Sequence, residues 1–181
     1  RRSSDLHSAK NLYKRKVNFG AIIKDVLANR KLVRAIAYVI TSEAGDEKNF
    51  FEALTKLGIE TKTKDLQIFQ GGAKKGDWDV GLAVDAIKMA PRLDAIIILS
   101  GDGDFVPLVE YLQTMTQVEV VSFGKSTSSK LREATDDFFD LDESPQKYLI
   151  GSAHRFQGNK KPGARMPFKK RGPKDATLGT I

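Results

Sequence analysis

The chain has 181 residues, of which 40% are hydrophobic, and it carries a formal net charge of +7 at pH 7. This length suits one domain of ordinary size with an appendage, and the hydrophobic share is enough to build a core. Cysteine is absent, which excludes disulfides, zinc–thiolate sites and thiol catalysis and fits a reducing cytosol. Because no apolar run approaches the roughly 20 residues of a membrane span and the first residues lack a signal-peptide core, we expect a cytoplasmic protein with no membrane partner.

The positive charge is concentrated at the carboxyl end. Residues 146–181 contain nine Lys or Arg and one acidic residue, whereas the rest of the chain contains 21 basic and 22 acidic residues. From about Ser144 the sequence is rich in Pro, Gly and Lys and has no periodicity. We therefore predict a domain over residues 1–143 and a basic flexible tail over 144–181, for which a polyanion is the natural partner.

Predicted helices and strands alternate along this domain. Apolar residues at helical spacing indicate helices, and short apolar runs indicate strands. In chain order, the predicted elements are helices over 6–12 and 19–27, a strand over 32–40, a helix over 50–57, a β-rich stretch over 59–69, a helix over 80–89, a strand over 95–99, a helix over 105–112, a strand over 118–123, a short helix over 131–134 and a last apolar element over 138–141. This alternation predicts a parallel sheet covered by helices on both faces.

The most informative segment is the turn SGDGD at residues 100–104, which follows the predicted strand over 95–99. It places Asp102 and Asp104 in a tight glycine turn between a buried strand and a helix. In open α/β sheets, ligands bind at the carboxyl ends of the strands, and carboxylate clusters suit Mg²⁺ or Mn²⁺. The alternative is that either Asp simply caps the helix, a common role in such turns.

A second acidic group opens the helix that precedes this strand, in the segment KGDWDVGLAVD. Asp77 is explained without a function, because acids in a first helical turn interact favourably with the helix dipole. Asp85 lies about 120° around the helix from Asp79, so we expect at most one of the two to bind a metal directly. We place Asp79 first and expect Asp85 to bridge through water or to hold a basic residue. Asp79, Asp102 and Asp104 would then bind one or two Mg²⁺ or Mn²⁺ ions, which activate water and stabilise charge on a phosphate.

With these residues in view, the chain resembles the NYN domains of the PIN-like nuclease superfamily, and in particular their LabA-like branch. Four segments carry the resemblance in the same order: HSAKNLYKRKVNFG (7–20), KKGDWDVGLAVDA (74–86), IILSGDGDFVPLV (97–109) and VVSFGKSTSSKLREATDDFFDLD (120–142). The resemblance implies a three-layer α/β/α sandwich with a mainly parallel central sheet and a metal-dependent acidic site. It also implies RNA as the substrate, and aromatic residues beside cations in the tail, at Arg155-Phe156 and Phe168-Lys169, favour single-stranded RNA.

The resemblance also implies roles for individual residues. The acidic positions of the family fall on Asp79, Asp85, Asp102 and Asp104, and Ser100 matches the serine before the acidic turn.

The start of the chain departs from the family pattern. That pattern begins with an apolar strand that ends in an Asp, and residues 1–5 have neither feature. We therefore expect either that the first strand and its acidic group are missing from this sequence or that Asp5 serves imperfectly in their place. An incomplete sheet edge would favour dimers formed through strands. Asp136, near a downstream acidic position of the family, is a weaker candidate.

Two functions of different classes follow. The first is a metal-dependent ribonuclease that hydrolyses RNA phosphodiester bonds, and the second is a non-catalytic RNA-binding regulatory module on the same fold. A phosphatase-like hydrolase would require a DxDxT motif, which the chain lacks. In both RNA hypotheses basic residues contact the phosphate backbone, and the candidates are Lys14, Arg15, Lys16, Lys74, Lys75, Lys169, Lys170 and Arg171.

Overall fold

The computed structural model describes residue 13 and residues 15–41, 48–65, 67–68, 74–75 and 78–151. Its strands are β1 (Lys16–Val17), β2 (Ile36–Thr41), β3 (Glu60–Asp65), β4 (Gln67–Ile68), β5 (Lys74–Lys75), β6 (Ala95–Ile98), β7 (Gln117–Ser122), β8 (Asp137–Asp140) and β9 (Leu149–Ile150). Its helices are α1 (Phe19–Leu27), α2 (Lys48–Lys56), α3 (Asp79–Met89), α4 (Val106–Leu112), α5 (Ser129–Ala134) and α6 (Pro145–Tyr148). None of the helices in these ranges is long and apolar enough to cross a membrane.

The longer strands pair in parallel. β7 lies between β6 and β8, with Ile96 opposite Val118 and Val120 opposite Phe138, and β2 pairs with β3. The two-residue strands form antiparallel ladders, β1 with β9 and β4 with β5. No strand within the described ranges joins the β2–β3 pair to the three-stranded sheet. The expected loss of a first strand concerns residues 1–5, which lie outside the described residues.

Strand β7 is the centre of the core because both of its faces are covered. Side chains of successive strand residues point to opposite faces, so Val120 and Val121 pack into two different clusters. Helices α3, α4 and α5 cover the first face, where the cluster includes Ala86, Val109, Leu112, Val118 and Leu131. Helices α1 and α6 cover the second face, where the cluster includes Ile22, Val26, Phe123, Tyr148 and Leu149. This helix–sheet–helix layering is the three-layer α/β architecture predicted from the sequence.

The folded part extends beyond residue 143, where the sequence predicted the domain to end. Tyr148 and Leu149 are buried, and β9 pairs with β1 near the other end of the described chain. The Tyr148 hydroxyl donates a hydrogen bond of 2.7 Å to Asp25 of α1. Composition did not indicate this short apolar pair, because the stretch around it is on average basic and polar. With these residues in the fold, the predicted tail begins no earlier than residue 152.

The strand predicted over 32–40 is shorter and lies later in the chain. Residues 31–35 have no regular structure, and β2 begins at Ile36. Val33 is 70% exposed, so the apolar run of the sequence is longer than its buried part. An apolar run alone does not fix where a strand begins, because pairing with a neighbour decides that. Here the pairing starts where Glu60 N donates to Ala35 O at 2.9 Å.

Candidate active site at the acidic turn

The acidic turn, residues 100–104, is fixed by its own side chains at the carboxyl end of β6. The backbone N–H of Asp102 donates to Ser100 Oγ at 3.2 Å, and the N–H of Asp104 donates to Asp102 Oδ1 at 3.0 Å. Ser100 is buried, whereas Asp104 is exposed. Asp102 therefore caps the short 3₁₀ turn over Gly103–Phe105, which is the alternative role that the sequence left open. A carboxylate that caps through one oxygen still has lone pairs for a second ligand.

The turn lies directly against the hydroxyl loop, which we define as residues 126–129. The N–H of Ser128 donates to Gly101 O at 2.9 Å. A Cβ atom on Gly101 would lie 2.7 Å from Ser122 Oγ and 3.1 Å from Thr127 Cα, and one on Gly103 would lie 2.7 Å from Ser128 Oγ. A side chain at either glycine would therefore crowd the hydroxyl loop, through the backbone of Thr127 at Gly101 and through the side chain of Ser128 at Gly103.

The hydroxyl loop is in turn held by backbone and carboxylate acceptors. Thr127 Oγ1 donates to Phe123 O at 2.8 Å. Just upstream of the loop, Gly124 N donates to Asp140 Oδ1 at 2.9 Å and Lys125 N to Asp142 Oδ2 at 2.8 Å. These two acids, Asp140 at the end of β8 and Asp142 in the 3₁₀ turn that follows it, thus hold the backbone that leads into the loop. This role could not be predicted from local sequence patterns, because the partners lie 16 and 17 residues away in the chain.

Tyr13 connects the amino-terminal segment to the same carboxylates. Its hydroxyl donates to Asp142 Oδ1, and its ring lies 5.3 Å from that of Phe123, measured between centroids. Burial, followed by the hydrogen bond to Asp142, raises the pKa of the Tyr13 hydroxyl well above its usual value. Tyr13 therefore remains a hydrogen-bond donor throughout the physiological pH range. It stabilises Asp142, which holds the backbone that leads into the hydroxyl loop.

Asp79 is the first residue of α3, and the side chain before it attaches this helix to β2. Trp78 Nε1 donates to Val39 O at 3.1 Å, and Val39 lies in the carboxyl-terminal half of β2. Asp79 is consequently at the edge where parallel strands end, the edge at which α/β proteins bind ligands. That Asp79 acts together with Asp102 and Asp104 stays a prediction.

Asp85 lies about one and two-thirds turns further along α3 and has structural partners. Its Oδ2 accepts hydrogen bonds from Lys62 Nζ and from the Tyr38 hydroxyl, both at 2.6 Å. The bond from Lys62, followed by that from Tyr38, lowers the pKa of the Asp85 carboxyl. Of the two roles expected for Asp85, holding a basic residue is the one that the structure has.

Because the pKa of Asp85 is lower in the folded than in the unfolded protein, its contribution to stability is present above the unfolded value of about 3.9 and is lost as the pH falls through the lowered value. We expect Asp85→Asn to be less stable than the parent at neutral pH and to lose less further stability between about pH 4 and pH 2. Urea unfolding at a series of pH values measures this. Glu110→Gln, at an exposed position of α4, is the control. Parallel pH profiles for the parent and Asp85→Asn would contradict the expectation.

The described residues hold no group of three or more His, Cys, Asp or Glu that could bind a metal ion. Asp79, Asp102 and Asp104 therefore do not form a ready-made three-ligand cage among them. The donor chemistry of the turn still suits Mg²⁺, which retains several waters and commonly binds proteins through one or two carboxylates plus substrate phosphates. Asp102 and Asp104, both in the acidic turn, supply two such carboxylates.

Asp136, the weaker candidate, lies at the opposite edge of the sheet. Its Oδ2 accepts from the backbone N–H of Val118 at 3.0 Å, near the amino end of β7. The acidic turn contacts Ser122 at the other end of that strand, four residues or about 13 Å away. Asp136 is therefore a structural acceptor, outside the candidate site.

The predicted RNA-binding cations are only partly described. Arg15 donates to the backbone carbonyls of Leu149 and Gly151, at 2.9 and 2.6 Å, so it joins the two ends of the described chain. Lys16 is exposed in β1, and for Lys74 and Lys75 the structure describes the backbone, in β5. The candidates outside the described residues are Lys14, Lys169, Lys170 and Arg171, together with the acid Asp77.

The layered fold and the acidic turn define an α/β protein of the PIN-like class. The chain belongs to the NYN domain family, whose model matches residues 6–142. It is 30% identical over 131 residues to the low amplitude and bright protein LabA of Synechococcus elongatus, covering 67% of this chain and 70% of that protein. It is also similar to the crystal structure of a protein of unknown function from Vibrio parahaemolyticus, with a TM-score of 0.73 and 31% identity over 81% of this chain and 90% of the other. The predicted family and fold class are confirmed.

Proposed function

We propose that this protein is a metal-dependent ribonuclease that hydrolyses phosphodiester bonds of single-stranded RNA at the acidic turn. The observation that carries the proposal is the placement of Asp102 and Asp104 in a turn held by its own hydrogen bonds at the end of a parallel strand. Membership of the NYN domain family supports it, since this family lies within the PIN-like nuclease superfamily.

Asp79, Asp102 and Asp104 would hold Mg²⁺ or Mn²⁺. Such an ion supplies activation of water and stabilisation of the charge that develops on the phosphate. The chain itself keeps the carboxylates in place. The Ser100 hydroxyl accepts a hydrogen bond from the backbone of the turn, and Ser128 of the hydroxyl loop donates one to it. This preorganisation matters because a carboxylate displaced by about 1 Å can cost a large part of a catalytic rate.

The direct test is cleavage of an end-labelled single-stranded RNA by the full chain. One reaction contains Mn²⁺, one contains Mg²⁺ and one contains EDTA. Cleavage that requires a divalent ion supports the proposal. Absence of cleavage with either ion, under conditions in which the RNA binds, would refute it.

The competing function is a non-catalytic RNA-binding regulatory module on the same fold. Two observations on the described residues favour it: they contain no three-ligand metal group, and Asp85 is neutralised by Lys62. The same experiment separates the two functions. RNA binding without cleavage would support the regulatory module.

The basic tail is proposed to attract the RNA backbone. Residues 152–181 contain eight Lys or Arg and one Asp. Deletion should begin at residue 152, because Tyr148 and Leu149 are part of the core. We expect the truncated chain to bind single-stranded RNA at least about tenfold more weakly at low salt, and the slope of log affinity against log salt to become shallower.

Fluorescence anisotropy of labelled RNA at several salt concentrations measures both quantities. The matched control keeps the tail length but replaces its Lys and Arg residues with Gln, and it should behave like the truncated chain. Unchanged affinity and slope in the truncated chain would show that the tail does not bind the RNA backbone.

A further inference from the structure

The single tryptophan of the chain, Trp78, lies immediately before Asp79 and is partly exposed. Neither of the two core clusters of the described residues includes it. Its indole N–H is occupied by the carbonyl of Val39, at 3.1 Å. The ring is therefore not a central part of the core. The hydrogen bond of its indole nitrogen sets its orientation.

Neighbouring groups hold the ring in one orientation. A Cβ atom on Gly81 would lie 2.6 Å from Trp78 Cε3, so the ring rests against the first turn of α3 where that helix has no side chain. The ring of Tyr38 lies 5.5 Å away between centroids at an angle of 55°, and the hydroxyl of Tyr38 is held by Asp85. An aromatic ring that is already fixed loses little conformational entropy when a ligand stacks on it.

A cation lies over the same ring. Lys64 Nζ is 5.9 Å from the ring centroid, and Lys64 is an exposed residue of strand β3. Lys64 lies on a strand that is largely exposed along its length, so its ammonium group is within reach of the phosphate of a ligand stacked on the ring. A fixed aromatic ring with a cation beside it is the combination that binds single-stranded RNA without regard to sequence, through base stacking and a phosphate contact.

We propose that Trp78 is a base-stacking subsite for single-stranded RNA and that Lys64 contacts a phosphate beside the stacked base. The subsite rests on the proposed function, because RNA is its ligand. Since Trp78 and Asp79 are consecutive, a base stacked on this ring lies next to a carboxylate of the candidate site. The subsite would thereby bring a phosphate of the strand close to Asp79.

The presence of one tryptophan makes this subsite directly observable, because all tryptophan emission comes from Trp78. We would titrate the full chain, as the Asp102→Asn variant to prevent cleavage, with an oligo-uridylate of about ten nucleotides that carries a 3′ dye. Anisotropy of the dye reports binding of the strand, and tryptophan emission reports stacking. A strand of the same length without bases, which has the same charge, is the control ligand.

We expect saturable quenching of the emission with the same midpoint as the anisotropy change, and no quenching by the strand without bases. Trp78→Leu should weaken binding of oligo-uridylate about tenfold or more and should leave the affinity for the strand without bases unchanged. Trp78→Phe, which keeps an aromatic face, should lose less. Thermal unfolding of both variants shows whether they are folded. If Trp78→Leu does not fold, the fluorescence titration of the chain that retains Trp78 still tests the stacking subsite.

Two negative results have different meanings. An anisotropy change without quenching would overturn the stacking subsite and leave RNA binding intact. No anisotropy change at low salt would remove RNA as the ligand, and the proposed function would fail with the subsite.

Discussion

Asp102→Asn is expected to lower RNA cleavage by at least about a hundredfold while leaving RNA affinity equal or higher. The amide oxygen of Asn can still accept the hydrogen bond from Asp104 N, so the turn keeps its cap and loses only the negative charge. The charge is what a divalent ion needs, and its loss also removes repulsion against the RNA phosphates. Single-turnover cleavage of labelled RNA and anisotropy under the same conditions measure the two effects.

Asp94→Asn is the matched control for this substitution. Asp94 is an exposed carboxylate directly before β6, whereas Asp102 follows the end of the same strand, so the two substitutions remove the same charge at opposite edges of the sheet. We expect Asp94→Asn to cleave RNA at the parent rate. Full activity in Asp102→Asn would refute the assignment of the acidic turn as the catalytic site.

The acidic turn could be predicted from the sequence because its signals are local. Four apolar residues, a break at two glycines and renewed helical spacing together indicate a strand, a turn and a helix, and the parallel sheet places that turn at the ligand-binding edge. The structure has β6 over Ala95–Ile98 and α4 over Val106–Leu112, with a 3₁₀ turn between them. The capping role of Asp102 was also visible in the sequence, as one of two alternatives.

The identity of the basic residue that Asp85 holds, and the role of Arg15, depend on partners distant in the chain and could not be predicted from the sequence. Asp85 accepts a hydrogen bond from Lys62, 23 residues earlier in the chain. Arg15 donates hydrogen bonds to backbone carbonyls more than 130 residues later. Spacing along one helix indicates a face of that helix but not which residue from another element lies against it. The tertiary contacts of Lys62 and Arg15 therefore cannot be predicted from composition and periodicity.

The stacking subsite was missed for a related reason. Trp78 was visible in the segment KGDWDVGLAVD, but a lone aromatic residue in a helix start is more often a packing residue. What distinguishes it is a set of tertiary neighbours: the carbonyl of Val39, the ring of Tyr38 and the ammonium of Lys64. Only the pairing of β2 with β3 and the packing of α3 bring these groups together.

Gly101→Ala is the second substitution expected to have a large effect. The new methyl group would lie 2.7 Å from Ser122 Oγ, in a fully buried residue, and 3.1 Å from the backbone Cα of Thr127. Since Thr127 presents backbone there, the hydroxyl loop must shift, and the hydrogen bond from Ser128 N to Gly101 O weakens with it. We expect the free energy of unfolding to fall by about 1–3 kcal/mol and cleavage to fall by up to about a hundredfold.

Gly103→Ala tests the same contact in a form that can be reversed. Its methyl group would meet only the side chain of Ser128, with Oγ at 2.7 Å and Cβ at 3.0 Å. Ser128 precedes α5 without a capping hydrogen bond from its side chain, so Ser128→Gly should cost little by itself. If crowding between the acidic turn and the hydroxyl loop is the cause, the double variant Gly103→Ala/Ser128→Gly recovers most of the cleavage and stability that Gly103→Ala loses. A double variant no better than Gly103→Ala would mean that Gly103 is needed for a reason other than the space taken by the Ser128 side chain.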